Sequence, residues 1–229
     1  MGAVYFVRHG QASFGQADYD QLSDTGFEQA RVLGEVLRSR VLKLDAVFMG
    51  TLARHRQTAE TCLAAMGMDV PPQVLAGFDE FNHDELLHRH TPRYADAAVL
   101  REEISKAADP RRAFQELFSQ AVARWVNGPA EEYTESWPAF RQRCTQALET
   151  VLQALGPSGT ALVFTSAGPI SAVCQGLLHI PDEHAFQLNW TMANAAVTKV
   201  IYGERGRYLS TLNEHAHFEG ARRALITYR

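Results

Sequence analysis

The chain has 229 residues, of which 46% are hydrophobic and 21% charged, and its formal net charge is -4. This length is typical of a single α/β core that carries a sizeable insertion. The composition is that of an ordinary globular protein, and the weak negative charge excludes a broad basic surface. We therefore expect neither nucleic acid nor a membrane as a partner.

The three cysteines, Cys62, Cys144 and Cys174, are widely spaced and contain no Cys-x-x-Cys pair. An odd number at such spacing argues against a disulfide framework or a zinc ribbon and favours three small buried hydrophobes. The first residues pass directly into an apolar run, without a basic leader, and no apolar stretch is long enough to span a bilayer. These features predict a reduced, cytoplasmic location.

The first eighty residues alternate between strand and helix periodicity. We predict strands at about 3–7, 45–49 and 73–76, and helices at about 24–40 and 52–66. Ser23 is the predicted N-cap of the first helix. Such alternation indicates a three-layer α/β/α fold with a mostly parallel central sheet.

Residues 77–155 interrupt this alternation with helical periodicity around 93–107, 111–126 and 137–155. We interpret them as a helical insertion over the strand ends, within a single domain that spans residues 1–229. The alternation then resumes, with a strand at 160–165, a helix at 169–178, and strands at 195–202 and 207–212 that form a hairpin.

Three polar segments follow predicted strands: Arg8-His9-Gly10, Gly50-Thr51 and Ser166-Ala167-Gly168. Open α/β sheets bind ligands outside the carboxyl ends of their strands, so the fold brings these segments to one crevice. Each segment supplies donors that suit an anion. The sequence therefore predicts a site that handles a phosphate group.

In order and in context, these residues resemble the histidine phosphatase superfamily, the group that includes cofactor-dependent phosphoglycerate mutases and many small-molecule phosphatases. The resemblance runs nearly from end to end. It rests on Phe6-Val7-Arg8-His9-Gly10-Gln11, Leu22-Ser23 with Gly26 and Gln29-Ala30, Arg54 with Gln57-Thr58-Ala59-Glu60, Asp79-Glu80-Phe81, and Asn213 with His217.

The resemblance implies a role for four residues, without a metal or other cofactor. His9 is the expected nucleophile, which forms a phosphohistidine while its other ring nitrogen donates to a nearby carbonyl. Arg8 and Arg54 are expected to bind the phosphate oxygens, Arg56 being the competing surface arginine. Glu80 is the expected acid for the leaving oxygen. Its rivals are Asp79, Asp84 and Glu85.

Ser166 departs from the pattern, because the family usually has a second histidine at this position. Loss of one preorganised donor typically costs roughly a hundred- to a thousand-fold in rate, although a serine hydroxyl still donates. Ser166 and Ala167 remain predicted phosphate-binding residues, since a helix N-terminus opened by Gly168-Pro169 also favours an anion. His83 is a second candidate donor that would enter from a loop. On this basis, Ser166→His should raise activity.

Gln11, Ser13 and His83 are predicted substrate contacts. A different interpretation takes His83-Asp84-Glu85, with His88 and His90, as a metal site, but the spacing matches no standard ligand signature. We expect no metal.

The favoured function is a phosphomonoester hydrolase that acts on a small phosphorylated metabolite or a phosphorylated side chain. The alternative is a catalytically weak relative that binds a phosphorylated ligand or partner through Arg8 and Arg54. A mutase is disfavoured by Ser166 and by Gly15, where the family usually has Asn. A homodimer stays open, with Trp125 and Trp137 expected to pack within the insertion instead.

Overall fold

The computed structural model describes residues 1–13, 20–41 and 43–228. Within these ranges the chain forms six strands and eight α-helices, joined by short 3₁₀ turns. They are β1 (Gly2–Arg8), α1 (Asp24–Arg40), β2 (Ala46–Met49), α2 (Ala53–Met66), β3 (Gln73–Val74), α3 (His83–His90), α4 (Ala97–Ser105), α5 (Pro110–Asn127), α6 (Trp137–Leu155), β4 (Thr160–Thr165), α7 (Ala167–Leu178), α8 (Asp182–Thr191), β5 (Val197–Gly203) and β6 (Gly206–Glu214).

The strands form one mixed sheet in the order β3-β2-β4-β1-β5-β6. The first four are parallel, whereas β5 and β6 are antiparallel to their neighbours. The predicted mostly parallel sheet and the closing hairpin are therefore confirmed. In the register of β1 and β4, Arg8 lies opposite Thr165, so His9 and Ser166 leave adjacent strands at the same level.

Side chains that alternate along the strands divide the core into two layers. On one face, Val4 and Phe6 pack with apolar residues of α6 and α7. On the other face, Val7 packs with apolar residues of α1 and α2. Period-two alternation sends neighbouring side chains to opposite faces, so a sheet covered on both sides is apolar along its whole length. This confirms the three-layer α/β/α fold.

The helix starts follow local chemistry. Ser23 caps α1, as predicted, and its hydroxyl accepts a hydrogen bond from the Gly26 amide at 3.1 Å.

All three cysteines are buried and free, and burial raises the pKa of both Cys62 and Cys174 to about 12. None of the helices in the described ranges combines the length and apolar character needed to cross a bilayer.

The chain divides into two compact units, one of residues 1–80 with 143–229, which contains the whole sheet, and one of residues 81–142. The second unit has an aromatic core in which Trp125 is 2% exposed and Trp137 1%, with their rings 5.2 Å apart. Both tryptophans therefore pack within the insertion, as expected.

Two predictions in the helical region were wrong in detail, and one helix was missed. The residues after Glu80 were expected to be a loop but form α3, whose start is capped by the side chain of Asn82. The helix predicted at 93–107 is a 3₁₀ turn followed by α4, because Asp96 caps a new helix start. Helix α8 was missed, since it has little amphipathic pattern to reveal it.

Candidate active site

His9 is held in one orientation at the end of β1. Its Nδ1 lies 2.7 Å from the carbonyl oxygen of Gly10, and the side chain is 6% exposed. A carbonyl can only accept, so Nδ1 carries the ring proton. In a neutral imidazole the lone pair is then on Nε2, the nitrogen that a nucleophile needs.

The loop that carries His9 is fixed by its backbone. The amide of His9 donates to the carbonyl of Thr165 at 2.8 Å, and the amide of Gly10 donates to the hydroxyl of Thr58 at 3.1 Å. A Cβ on Gly10 would lie 2.4 Å from the carbonyl oxygen of Gly26. Only glycine therefore lets this loop pass against the start of α1.

Arg8 lies beside His9 and is 9% exposed. Its guanidinium donates to the carbonyl of Met192 and, at 3.3 Å, to that of Tyr228. Asn213 positions the first of these carbonyls, because its side chain accepts from the Ala193 amide and donates to the Thr191 carbonyl. Asn213 thus helps to hold the backbone segment that binds the Arg8 guanidinium.

His217, the last residue of that pattern, also supports this segment. Its Nε2 lies 3.1 Å from the carbonyl of Ala195, whose amide donates to the carbonyl of His9 at 3.2 Å. Burial lowers the pKa of His217 to about 4. The residue therefore acts as a neutral, buried donor in the framework of the site.

Arg54 lies in the first turn of α2 and is 6% exposed. It donates to Asp20 at 2.8 Å, and the same carboxylate accepts from the Ala53 amide. A guanidinium has five N–H donors in a fixed planar arrangement, so it can bind a carboxylate and other acceptors at the same time. Its rival Arg56 is exposed and lies 3.6 Å from Glu60. The structure thus separates the two arginines as the sequence pattern did.

The positive charges of the two arginines act on His9. Burial and then the positive charges of Arg54 and Arg8 lower the pKa of His9 well below 6.5. The hydrogen bond to Gly10 opposes this shift without reversing it. His9 is therefore a neutral imidazole at neutral pH, in the field of two cations that suit an anionic ligand.

Glu80 accepts a hydrogen bond at 3.2 Å from the amide of Gly168, in the first turn of α7. This separates it from its rivals. The carboxylate of Asp79 binds Thr51 instead: it accepts hydrogen bonds from the Thr51 amide at 2.5 Å and from the Thr51 hydroxyl at 2.7 Å. Asp84 and Glu85 lie in α3, within the second unit.

Arg143, which the sequence did not single out, anchors the turn before Glu80. Its guanidinium donates to the carbonyls of Ala76, Gly77 and Asp79 at 3.0–3.1 Å. The turn is also tied to β4, because the hydroxyl of Thr165 donates to the carbonyl of Phe78 at 2.5 Å. The backbone that delivers Glu80 is therefore fixed on two sides.

Ser166 is fully buried at the N-cap of α7 but makes no side-chain cap. Its hydroxyl lies instead 2.7 Å from Nε2 of His55, which is also fully buried. The ring of His55 is 5.9 Å from that of His9. An imidazole thus lies next to the position where the sequence pattern lacks one, and it comes from α2.

His55 was not predicted from the sequence, although a signal was present. His55 shares a spacing of three, four and seven residues with Thr58, Ala59 and Cys62, all buried on one face of α2. The same periodicity would have placed His55 on the buried face.

The three predicted substrate contacts, Gln11, Ser13 and His83, lie in different surroundings. The side-chain oxygen of Gln11 accepts from Ser23 at 2.9 Å, and the amide of Ser13 donates to the carbonyl of Gln21. His83 belongs to the second unit, where its ring packs edge-on against Phe81 at 4.6 Å and Phe118 at 5.3 Å. Their roles stay predictions. Residues 14–19, with Gly15, lie outside the described residues.

The insertion also contains the residues of the metal alternative. In the part of the chain that the structure describes, no three His, Cys, Asp or Glu side chains come close enough together to hold a metal ion.

The second unit does contain a cleft of 490 Å³. Its lining is largely polar: Asn82, Asp84, Glu85, His88, Arg89, Tyr94, Ala95, Ala97 and Thr134.

Solved structures with this fold include enzymes of phosphate metabolism. A phosphoglycerate mutase from Bacillus anthracis is 16% identical, with a TM-score of 0.66 over 94% of each chain. A phosphoserine phosphatase variant from Entamoeba histolytica, in complex with phosphoserine, is 14% identical, with a TM-score of 0.65 over 95% of this chain and 99% of that one.

A mycobacterial glucosyl-3-phosphoglycerate phosphatase is 20% identical, with a TM-score of 0.64 over 94% of this chain and 100% of that one. A search of curated protein sequences found no match. The family model of the histidine phosphatase superfamily (branch 1) matches residues 4–215, which is nearly the whole chain. The protein therefore belongs to the histidine phosphatase superfamily, branch 1.

Proposed function

We propose that the protein is a phosphomonoester hydrolase that acts through a phosphohistidine at His9. The observation that carries the proposal is the state of this ring. It is neutral, because burial and the charges of the buried Arg54 and Arg8 lower its pKa, and Nδ1–H is directed to the carbonyl of Gly10, so that the lone pair is on Nε2. Superfamily membership and the phosphatases among the structural neighbours support the same activity.

The proposed reaction has two steps. In the first, the Nε2 lone pair of His9 attacks phosphorus, the bond to the ester oxygen breaks, and Glu80 gives that oxygen a proton. Arg8 and Arg54 offset the charge on the phosphoryl oxygens. In the second, Glu80 takes a proton from water, the water oxygen attacks phosphorus, and the phosphorus–nitrogen bond breaks to give inorganic phosphate.

The proposed substrate is a small phosphorylated metabolite or a phosphorylated side chain. The nucleophile, two charge-neutralising guanidiniums and a carboxyl group for proton transfer are all supplied by this chain, so the scheme requires no metal. The first unit holds all four residues.

The test is hydrolysis of an aryl phosphate by the wild type and by His9→Ala, each with and without a chelator. We expect His9→Ala to lower kcat by at least about 10³-fold, because the covalent step is lost. His184→Ala, at an exposed position on α8, is the control. Equal rates for wild type and His9→Ala would refute the proposal, and loss of activity with chelator would indicate a metal enzyme.

A trapping experiment separates hydrolysis from binding alone. Phosphate bound to a histidine nitrogen is labile in acid and stable in base, unlike a serine phosphate ester. Wild-type protein quenched during turnover should carry such a group, and His9→Ala should not. Phosphate binding by the wild type without turnover or a trapped phosphoryl group would instead favour the binding-only relative.

A further inference from the structure

His55 and Ser166 form a buried pair that the two-step scheme does not use. They are 111 positions apart in sequence, yet Nε2 and Oγ lie 2.7 Å apart and both residues are 0% exposed. Ser166 directly follows Thr165, whose carbonyl accepts the His9 amide. The pair therefore lies at the strand end next to the proposed nucleophile.

Neither side chain has the local role that is usual at its position. A serine at a helix N-cap normally accepts a hydrogen bond from an amide of the first turn, but Ser166 makes no such bond. Nδ1 of His55 is buried and has no hydrogen-bond partner among the described residues. A buried polar group of this kind is costly, so its presence calls for a function.

The surroundings of His55 determine the direction of the hydrogen bond. A Cβ on Gly50 would lie 2.4 Å from Nδ1, so a hydrogen on the Gly50 Cα already faces this nitrogen. A lone pair on Nδ1 can face that C–H group, whereas a hydrogen on Nδ1 would collide with it. Burial and then the charge of Arg54 lower the pKa of His55 well below 6.5, so the ring has one proton. With Nδ1 facing a C–H group, this arrangement favours the proton on Nε2, where it can be donated to Ser166.

We propose that His55 is a positioning residue for catalysis: it donates Nε2–H to the Ser166 oxygen and thereby turns the serine proton towards the phosphoryl group transferred to His9. A hydroxyl has one proton and two lone pairs. With one lone pair occupied by His55, the O–H group is directed away from the ring. The pair then supplies an oriented neutral donor, and no covalent bond changes within it.

This inference rests on the proposed hydrolase function and makes it more specific. The donor at the end of β4 is a two-residue unit, with the hydroxyl on α7 and the imidazole on α2. Such a donor is worth most when it is already oriented before charge develops on the phosphoryl oxygens. A lone serine, free to rotate, would have to be ordered in each catalytic cycle.

The test compares steady-state kinetics for His55→Leu, His55→Gln, Ser166→Ala and the double variant His55→Leu with Ser166→Ala. We expect His55→Leu and Ser166→Ala each to lower kcat by about 10²-fold with little change in KM, because the donor acts mainly on the transition state. The double variant should be no slower than Ser166→Ala alone. His55→Gln, whose amide nitrogen can replace Nε2–H, should stay within about tenfold of wild type.

Ser171→Ala is the matched control, since this buried hydroxyl on the same helix donates only to the Ala167 carbonyl and should leave kcat unchanged. Losses that multiply in the double variant would overturn the inference. So would equal rates for His55→Leu and His55→Gln. If His55→Leu does not fold, His55→Gln and Ser166→Ala still decide, because His55→Gln as slow as Ser166→Ala contradicts the donor role.

The outcome for the hydrolase function is read separately, from wild type and His9→Ala. If wild type has no activity that depends on His9, the proposed function fails and the inference with it. If that activity is present but His55→Leu keeps the wild-type kcat, only the role of His55 fails. Thermal unfolding of each variant shows whether a lost rate reflects lost folding.

Discussion

The ends of two adjacent strands, β1 and β4, provide their polar groups in different ways. At the end of β1 the chain supplies Arg8 and His9 in direct succession, and the backbone orients the ring. At the end of β4 it supplies only the small Ser166, and the imidazole beside it comes from His55 on α2. The imidazole that the family pattern places at position 166 is thus present at this strand end, but it belongs to α2.

The first turn of α2 contributes to both strand ends. Arg54 is one of the charges that lower the pKa of His9, and the next residue, His55, contacts Ser166. Successive residues on a helix point about 100° apart, so one turn can serve two neighbouring positions. The groups of the candidate site therefore form one cluster built from β1, β4 and α2, and no single strand end supplies them all.

After His9→Ala, the largest expected effect is at Arg54. Arg54→Ala removes a buried cation beside His9, and we expect kcat/KM for an aryl phosphate to fall by about 10³-fold. The pKa of His9 should rise, so the acid limb of the pH–rate profile should move to higher pH. Arg56→Ala, two residues away and exposed, is the control and should stay within about twofold. Equal effects of the two variants would contradict the assigned role.

Glu80→Gln separates proton transfer from binding at the end of β4. An alkoxide leaves poorly without a proton, so we expect kcat for an alkyl phosphate to fall by about 10²-fold. For an aryl phosphate with an acidic phenol the loss should be less than about tenfold in the first step. The exposed Glu60→Gln serves as control. An unchanged rate with the alkyl substrate would remove Glu80 from this role.

Ser166→His tests the comparison directly, and the structure changes the expectation that came from the sequence. Ser166 is fully buried against His55, so a second imidazole overpacks the site, and we expect kcat to fall by about tenfold. Adding His55→Ala makes room for the new ring and should restore most of the loss. A gain in the single variant would mean that His55 does not already fill this function.

The last expected effect concerns stability in acid. His217 has a pKa of about 4 in the folded protein, against about 6.5 when unfolded. The unfolded chain therefore binds the extra proton first, and stability is lost as the pH falls below 6.5. The slope is at most about 1.4 kcal/mol per pH unit from this residue, down to pH 4.

His217→Gln should remove that contribution from the pH dependence of the urea midpoint, while the exposed His184→Gln should not. His9 and His55 have lowered pKa values of the same sign, so they add to the acid sensitivity of the wild type. A bound phosphate analogue should oppose it by favouring the folded state. An unchanged slope in His217→Gln would contradict the buried, neutral state of this ring.

Much of the fold was predictable because local chemistry determines it. The predicted helix at 24–40 coincides with α1, since Ser23 caps its start and the apolar spacing continues to Leu37. Strand β4 was predicted at its observed bounds from an apolar run. By contrast, α3 and α8 were missed, because α3 is short and polar and α8 has almost no apolar face.

The candidate site divides in the same way. Sequence alone determined the residue types at the strand ends, because Arg8, His9 and Ser166 are adjacent to strands that periodicity reveals. Only the tertiary structure decided that His55 meets Ser166, that Glu80 lies on the α7 amide while Asp79 is taken by Thr51, and that burial and two arginines keep His9 neutral. The physical reason is range: periodicity and capping act within a turn or two, whereas these contacts and charges join segments that lie far apart in the chain.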